Sequence, residues 1–161
     1  MNLPPRWPSL WVALAISYGV AGLGGALTDI GPWYLALKQP DWKPPDVWFG
    51  PIWTTLFTLT AISAWLAWHA APWPHLRRRV VLLFTFNALC NVAWSALFFA
   101  LKRPDWALIE WGLLWLSVLA LVLGLWRVSR AAACLNVPYL AWVSAAGVLN
   151  HDTLVLNGPF A

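Results

Sequence analysis

Charge is what this chain has least of. Only 10% of its 161 residues are Asp, Glu, Lys or Arg, where a soluble domain carries about 25%. All ten Lys and Arg fall outside the long apolar runs, so a water-facing globular fold is excluded and an integral membrane protein is implied. The net charge of +4 is then no nucleic-acid signal, because that needs Lys and Arg clustered on one folded face. Cysteine is scarce as well: Cys90 and Cys134 sit in apolar context without a CxxC spacing, which reads as inert packing. His69, His75 and His151 have no metal-ligand spacing, so no metal site is expected. A Ser/His/Asp set, paired carboxylates at depth and a Gly-rich phosphate loop are all missing, which leaves ordinary hydrolytic or phosphoryl-transfer chemistry without a footing. No repeat, low-complexity tract or alternating strand pattern is visible.

What the chain has is apolar length. Hydrophobic residues make up 61% of it, and five runs reach the roughly 20 residues a spanning helix needs, at about 10–27, 51–71, 80–101, 107–126 and 131–156. The expected fold is an all-α integral membrane protein, one domain over 1–161, built as a bundle of five transmembrane helices with a long aromatic first loop. A secretory signal is the rival reading of the first run, since Arg6 precedes it; the run is longer than an ordinary signal core, and the segment ahead of it is a poor n-region. Gly19, Gly22, Gly24 and Gly25 suggest close helix contact there, with Ala21 and Gly25 in small-xxx-small spacing. Arg77, Arg78 and Arg79 fall in a loop over 72–79, Lys102-Arg103-Pro104 in the next, and Arg127 and Arg130 bracket a tight turn. Alternate loops carry six and four Lys or Arg, a margin that puts the N-terminus in the cytoplasm and the first loop on the far side. The Ala-, Leu-, Trp- and Arg-rich composition, without a transit peptide, points to a bacterial membrane.

The stretch from Trp33 to Thr54, WYLALKQPDWKPPDVWFGPIWT, organises the rest. It holds four tryptophans (Trp33, Trp42, Trp48, Trp53) beside Tyr34, and four prolines (Pro40, Pro44, Pro45, Pro51). Each proline lacks a backbone donor and extends the residue before it. Such a segment cannot cross a bilayer as a helix, but it can fold back as a rigid aromatic cap. Of the fifteen tryptophans, Trp7, Trp11, Trp65, Trp68, Trp73, Trp106 and Trp126 stand near span ends, where indoles anchor at the headgroups. Trp94 and Trp142 lie well inside spans. Asn87, Asn91, Trp94 and Phe98 share one face of the third span, and Tyr139, Trp142, Ala146 and Asn150 one face of the fifth. Pro138 frees a carbonyl one turn before that face. Amides in hydrocarbon need partners, so both faces should turn inward, as helix glue or as the walls of a pocket for a flat, mostly apolar ligand. Spacing alone leaves the two open; the long aromatic loop, a plausible lid, favours the pocket. Asp152 reads as a solvated helix end.

Three blocks give the chain a family resemblance: Trp33-Tyr34 through Pro40, Trp42, Pro44-Pro45, Phe49, Pro51 and Trp53-Thr54; Asn91-x-x-Trp94-Ser95-x-x-Phe98-Phe99; and Pro138-Tyr139-x-x-Trp142-x-x-x-Ala146-x-x-Leu149-Asn150, closing at Leu156-Asn157. Over nearly its whole length it resembles the TspO/translocator protein family, the tryptophan-rich sensory proteins related to the peripheral benzodiazepine receptor. The resemblance implies a five-helix bundle, usually a homodimer, that binds porphyrins such as protoporphyrin IX and haem, and often sterols, under a first loop that covers the site. It needs no resident cofactor; porphyrin or haem is the ligand. Carried over by motif, the ligand-binding residues are Tyr34, Trp53, Asn87, Asn91, Trp94, Trp142, Ala146 and Asn150. Two places depart from the family: Gln39 stands where Lys is usual, and Val47 where an aromatic follows the Pro-Pro pair. The C-terminal sterol motif also fails, since no Lys or Arg follows Arg130, so cholesterol binding through that motif is not expected. The expected function is a membrane receptor or sensor holding a planar tetrapyrrole between the third and fifth helices. The alternatives are an enzyme of light- and oxygen-dependent porphyrin degradation, and a tetrapyrrole transporter.

Overall fold

The computed structural model describes residues 7–160; Arg6, counted in the charge margin above, lies outside the described residues. Among the described residues all regular structure is helical. Five segments are long and apolar enough to cross a bilayer, with mean hydropathy from 1.3 to 2.1. Their outer faces stay apolar: Val12, Ile16 and Leu23 on the first span and Ile109, Leu113 and Leu116 on the fourth are exposed. In water that would be a liability; in lipid it is the ordinary outside of a bundle.

Helix α1 (Trp7–Leu27) leads into a connector that holds the short α2 (Pro32–Ala36) and a 3-10 turn at Asp46–Trp48. Helices α3 (Phe49–Ala70) and α4 (Pro74–Ser95) follow, and α4 runs on into a π-helical turn at Ala96–Ala100. The chain finishes with α5 (Pro104–Leu125), the short α6 (Arg130–Cys134) and α7 (Val137–Asn157). Prolines mark the beginnings. Pro32, Pro74, Pro104 and Pro138 stand in the first two positions of α2, α4, α5 and α7, where a missing N–H loses no partner.

That placement changes three expectations. The loop expected over 72–79 is shorter, because Pro74 starts α4 and carries Arg77–Arg79 on its first turns. Arg77 donates from Nε to the Ala71 carbonyl at 3.1 Å and lies 5.3 Å from the Trp68 ring. The apolar run 131–156 is not one helix: α6 stops at Cys134 and α7 restarts at Val137. Asn136 fills the break, fully buried, donating from Nδ2 to Ser63 Oγ at 2.7 Å and to the Ala132 carbonyl at 2.9 Å. Pro138 therefore stands at the start of a helix, and the carbonyl four residues before it is that of Cys134, the last residue of α6. Finally, Cys90 is buried as expected of a packing residue, but Cys134 is exposed on α6.

In the bundle α1 packs on α3 and α4, α5 lies between α4 and α7, and α6 sits against α3 and α5. The end far from the first loop is sealed by Ala67, Val80, Leu121, Leu125, Ala132 and Ala133. Small residues let the helices approach closely there, as is usual where lipid gives no hydrophobic drive for association. Polar bonds cross between spans: Ser17 Oγ donates to the Phe57 carbonyl at 2.7 Å, Trp111 Nε1 to the Val143 carbonyl at 2.8 Å and Trp115 Nε1 to Ser144 Oγ at 2.8 Å. Arginines stack on belt tryptophans at both ends, Arg130 5.9 Å from the Trp126 ring and Arg103 4.3 Å from Trp106.

Candidate ligand-binding site

The end beneath the first loop is not filled. A cavity of about 490 Å³ opens between α1, α3, the end of α4 and α7, roofed by the connector, within the size range of small-molecule sites, roughly 300–1,000 Å³. On α1 the wall is made of Tyr18 and the small residues Ala21, Gly24 and Gly25. A Cβ on Gly24 would reach Ser95 Oγ at 3.6 Å, so α1 touches α4 there, whereas a Cβ on Gly25 or Gly50 would meet nothing within 4 Å. These small residues hold α1 close while leaving the space beside it empty.

The aromatic walls come from three helices. Trp94 stacks on Phe98 with ring centroids 5.1 Å apart and planes at 25°. Its indole donates to Asn150 Oδ1 at 3.2 Å, and Asn150 Nδ2 donates to the Pro104 carbonyl at 2.9 Å. Asn91 Nδ2 donates to the Tyr139 hydroxyl at 3.0 Å, and Trp53 meets the Tyr139 ring edge-on at 6.0 Å. Trp142 stands edge-on to Phe49 at 5.5 Å, and its Nε1 is buried with no hydrogen-bond partner. The π turn has a purpose in this arrangement. Its wide rung runs from the Leu101 N–H to the Ala96 carbonyl at 2.9 Å, and within it consecutive Phe98 and Phe99 both line the cavity, in keeping with the frequent use of π turns at functional sites. Phe99 reaches Tyr34 at 5.7 Å and Phe98 reaches Trp33 at 6.1 Å, which seats the roof.

The roof is polar on its inner side and tied down at its edge. Tyr34 donates its hydroxyl to Asp46 Oδ1 at 2.9 Å, and the Lys43 ammonium bonds the same oxygen while lying 5.4 Å from the Tyr34 ring and 5.8 Å from the Phe49 ring. Desolvation pushes the Asp46 carboxyl up, but the bonds from Lys43 and Tyr34 outweigh it and hold the group below its ordinary value. Desolvation likewise depresses Lys43, and its bonds to Asp46 and Tyr34 leave it raised on balance. Burial lifts the Tyr34 hydroxyl. At the edge, Trp42 Nε1 donates to Asp152 Oδ2 at 3.0 Å. The backbone of Lys38 and the side chain of Asn157 bond reciprocally, at 2.7 and 2.8 Å. Asp152 is thus a tether for the roof and not merely a solvated helix end.

Seven of the eight residues read from the sequence, Tyr34, Trp53, Asn91, Trp94, Trp142, Ala146 and Asn150, line this cavity. Asn87 does not. It is buried one turn deeper and donates to Ser117 Oγ at 2.8 Å, joining α4 to α5 as glue. Of the two departures, Gln39 lines the cavity, while Val47 is 74% exposed and points away from it. The sequence reading missed Lys43, Asp46 and the Asn157 tether. Asn157 stood in the last motif, but no spacing rule joins residue 157 to residue 38.

The comparisons with known proteins agree with this architecture. The family model described as TspO/MBR family matches residues 11–156. The chain is 37% identical over 152 residues to the tryptophan-rich protein TspO of Chlorobaculum tepidum, covering 92% of this chain and 94% of the relative. It is 34% identical over 149 residues to protein CrtK of Rhodobacter capsulatus, covering 92% and 93%. With the translocator protein of Bos taurus it shares 34% identity over 152 residues, covering 92% and 89%. Five apolar spans, an aromatic cavity under a proline-built roof and near full-length similarity to these proteins lead to one conclusion: the chain is an integral membrane protein of the TspO/MBR family.

Proposed function

We propose that this protein is a membrane receptor or sensor for planar tetrapyrroles, held in the cavity beneath the first loop. The observation that carries the reading is the cavity wall itself, in which Trp53, Trp94, Phe98 and Trp142 offer ring faces and edges around a space with few polar groups. Aromatic faces recognise a flat conjugated ring by stacking. The described lining residues include no His, Cys or Met, the side chains that most often hold haem iron. The reading therefore rests on recognition of the ring, metal-free or metallated.

The test is a protoporphyrin IX titration of the purified protein in detergent, followed by quenching of tryptophan emission, beside Trp142→Ala. Saturable quenching that weakens in the variant supports the pocket; quenching that never saturates, or that ignores Trp142, means partitioning into the micelle. Three indoles on the cavity wall favour a second reading, light- and oxygen-dependent degradation of the bound ring. Illumination of the complex with and without oxygen separates the two, since binding alone leaves the porphyrin spectrum intact.

A further inference from the structure

The tetrapyrrole reading leaves the charge of the ligand open, and the roof of the cavity addresses it. Among the described lining residues Lys43 carries the only positive charge. Its side chain is 10% exposed, against 44% for its partner Asp46. An ammonium this enclosed normally has its donors spoken for, because a poorly solvated charge without partners is costly. Lys43 has three N–H donors. From the loop side it is met by Asp46 and Tyr34, and the rings of Tyr34 and Phe49 flank it. That leaves a donor for an acceptor arriving from the cavity. Apart from Asp46, the other polar groups lining it are neutral amides and hydroxyls, and the amides of Asn91 and Asn150 are already bonded to neighbouring helices.

We propose that Lys43 is the anchor for a ligand carboxylate, so that the cavity selects tetrapyrroles bearing free acid side chains over their neutral esters. This rests on the tetrapyrrole reading above. A carboxylate entering a largely apolar site loses its hydration and needs a fixed cation in exchange, and Lys43 is that cation. Asp46 has two roles. It holds the ammonium in place by way of the short loop between Pro44 and Val47, and it competes with the ligand for the same charge. Ligand binding then shares the ammonium between two carboxylates, and the ring system below remains held by the indoles.

The experiment compares protoporphyrin IX with its dimethyl ester on the full chain in micelles, for the parent protein, Lys43→Gln and Asp46→Asn. The quantity read is the ratio of the two dissociation constants. The parent prefers the diacid, and Lys43→Gln reduces that preference by about tenfold, the scale of one charge-assisted hydrogen bond, while ester binding persists and shows the cavity intact. Asp46→Asn removes the competitor and raises the preference. An unchanged ratio in Lys43→Gln overturns the inference, and so does a parallel loss of both ligands, since Lys43 would then only be holding the loop. Failure of both compounds to bind the parent saturably overturns the tetrapyrrole reading itself, a result distinct from an unmoved ratio.

Discussion

The sharpest test of the helix packing is Gly147→Ala. Gly147 lies on α7 beneath the indole of Trp111, and a Cβ there would stand 2.0 Å from Trp111 Cε2, 2.3 Å from Nε1 and 2.4 Å from Cζ2. Three ring atoms overlap at once, so no small rotation relieves the clash and the indole must leave its seat. Leaving it breaks the 2.8 Å bond from Trp111 Nε1 to the Val143 carbonyl. Overpacking of a close-packed core costs about 1–3 kcal/mol, and the lost bond about 0.5–1.5 kcal/mol. Set against the roughly 1 kcal/mol by which adding a methyl group to a glycine otherwise favours a helix, the substitution should destabilise the protein by about 0.5–3.5 kcal/mol. The assay is reversible unfolding in mixed micelles, run as a cycle with Trp111→Leu and the double variant. With the indole gone the added methyl group has nothing to strike, so Gly147→Ala should then cost little or stabilise. A Gly147→Ala protein within about 0.5 kcal/mol of the parent, where substitutions away from such contacts usually fall, would show that Trp111 does not hold its place over α7.

The roof and the polar face give further tests. Asn157→Ala removes both bonds to the Lys38 backbone, and should speed ligand release about tenfold and raise hydrogen exchange across residues 33–48 without changing the bundle. Asn87→Leu should shift stability by only about 0.6–2 kcal/mol, the worth of an interhelical polar bond in a bilayer, and leave protoporphyrin affinity unchanged; a large affinity loss would return Asn87 to the site. The roof should also loosen with acid. Asp46 is held below its ordinary value of 3.8, so its stabilisation is present above that pH and is lost as pH falls through the depressed value. Lys43 is raised above 10.5, so its share is present below that pH and is lost as pH rises through the elevated value. Protection of the loop amides, taken relative to their intrinsic exchange rate at each pH, should therefore be greatest between those limits, and Asp46→Asn should abolish the acid limb.

How far the residues themselves revealed this arrangement depended on range. Five spans were legible because lipid imposes one rule on every residue of a span, and charge scarcity plus apolar length expresses that rule locally. The inward faces of α4 and α7 were legible for the same reason, since Asn91, Trp94, Trp142 and Asn150 repeat at helical spacing. Asn87 shares that spacing yet misses the cavity. A helical repeat fixes the side of a helix but not the depth along it, and depth decided that Asn87 meets Ser117 while Asn91, one turn on, lines the cavity and bonds the buried Tyr139. The break at Asn136 was hidden because hydropathy does not distinguish a continuous helix from two helices joined by a buried amide. The roof was the hardest part. Its prolines announced a rigid loop, but which way the loop faced was settled by Asp152 and Asn157, more than a hundred residues away. The same distant tethers place Lys43 over the cavity, so a residue that reads as one more interfacial charge becomes the only cation among the described residues lining it. If the roof orients Lys43, cutting the roof should disarm it: Asn157→Ala should lower the preference for protoporphyrin IX over its dimethyl ester as well as speeding release. A variant that released both ligands faster with the preference intact would mean that Lys43 is positioned by Asp46 and the short turn alone.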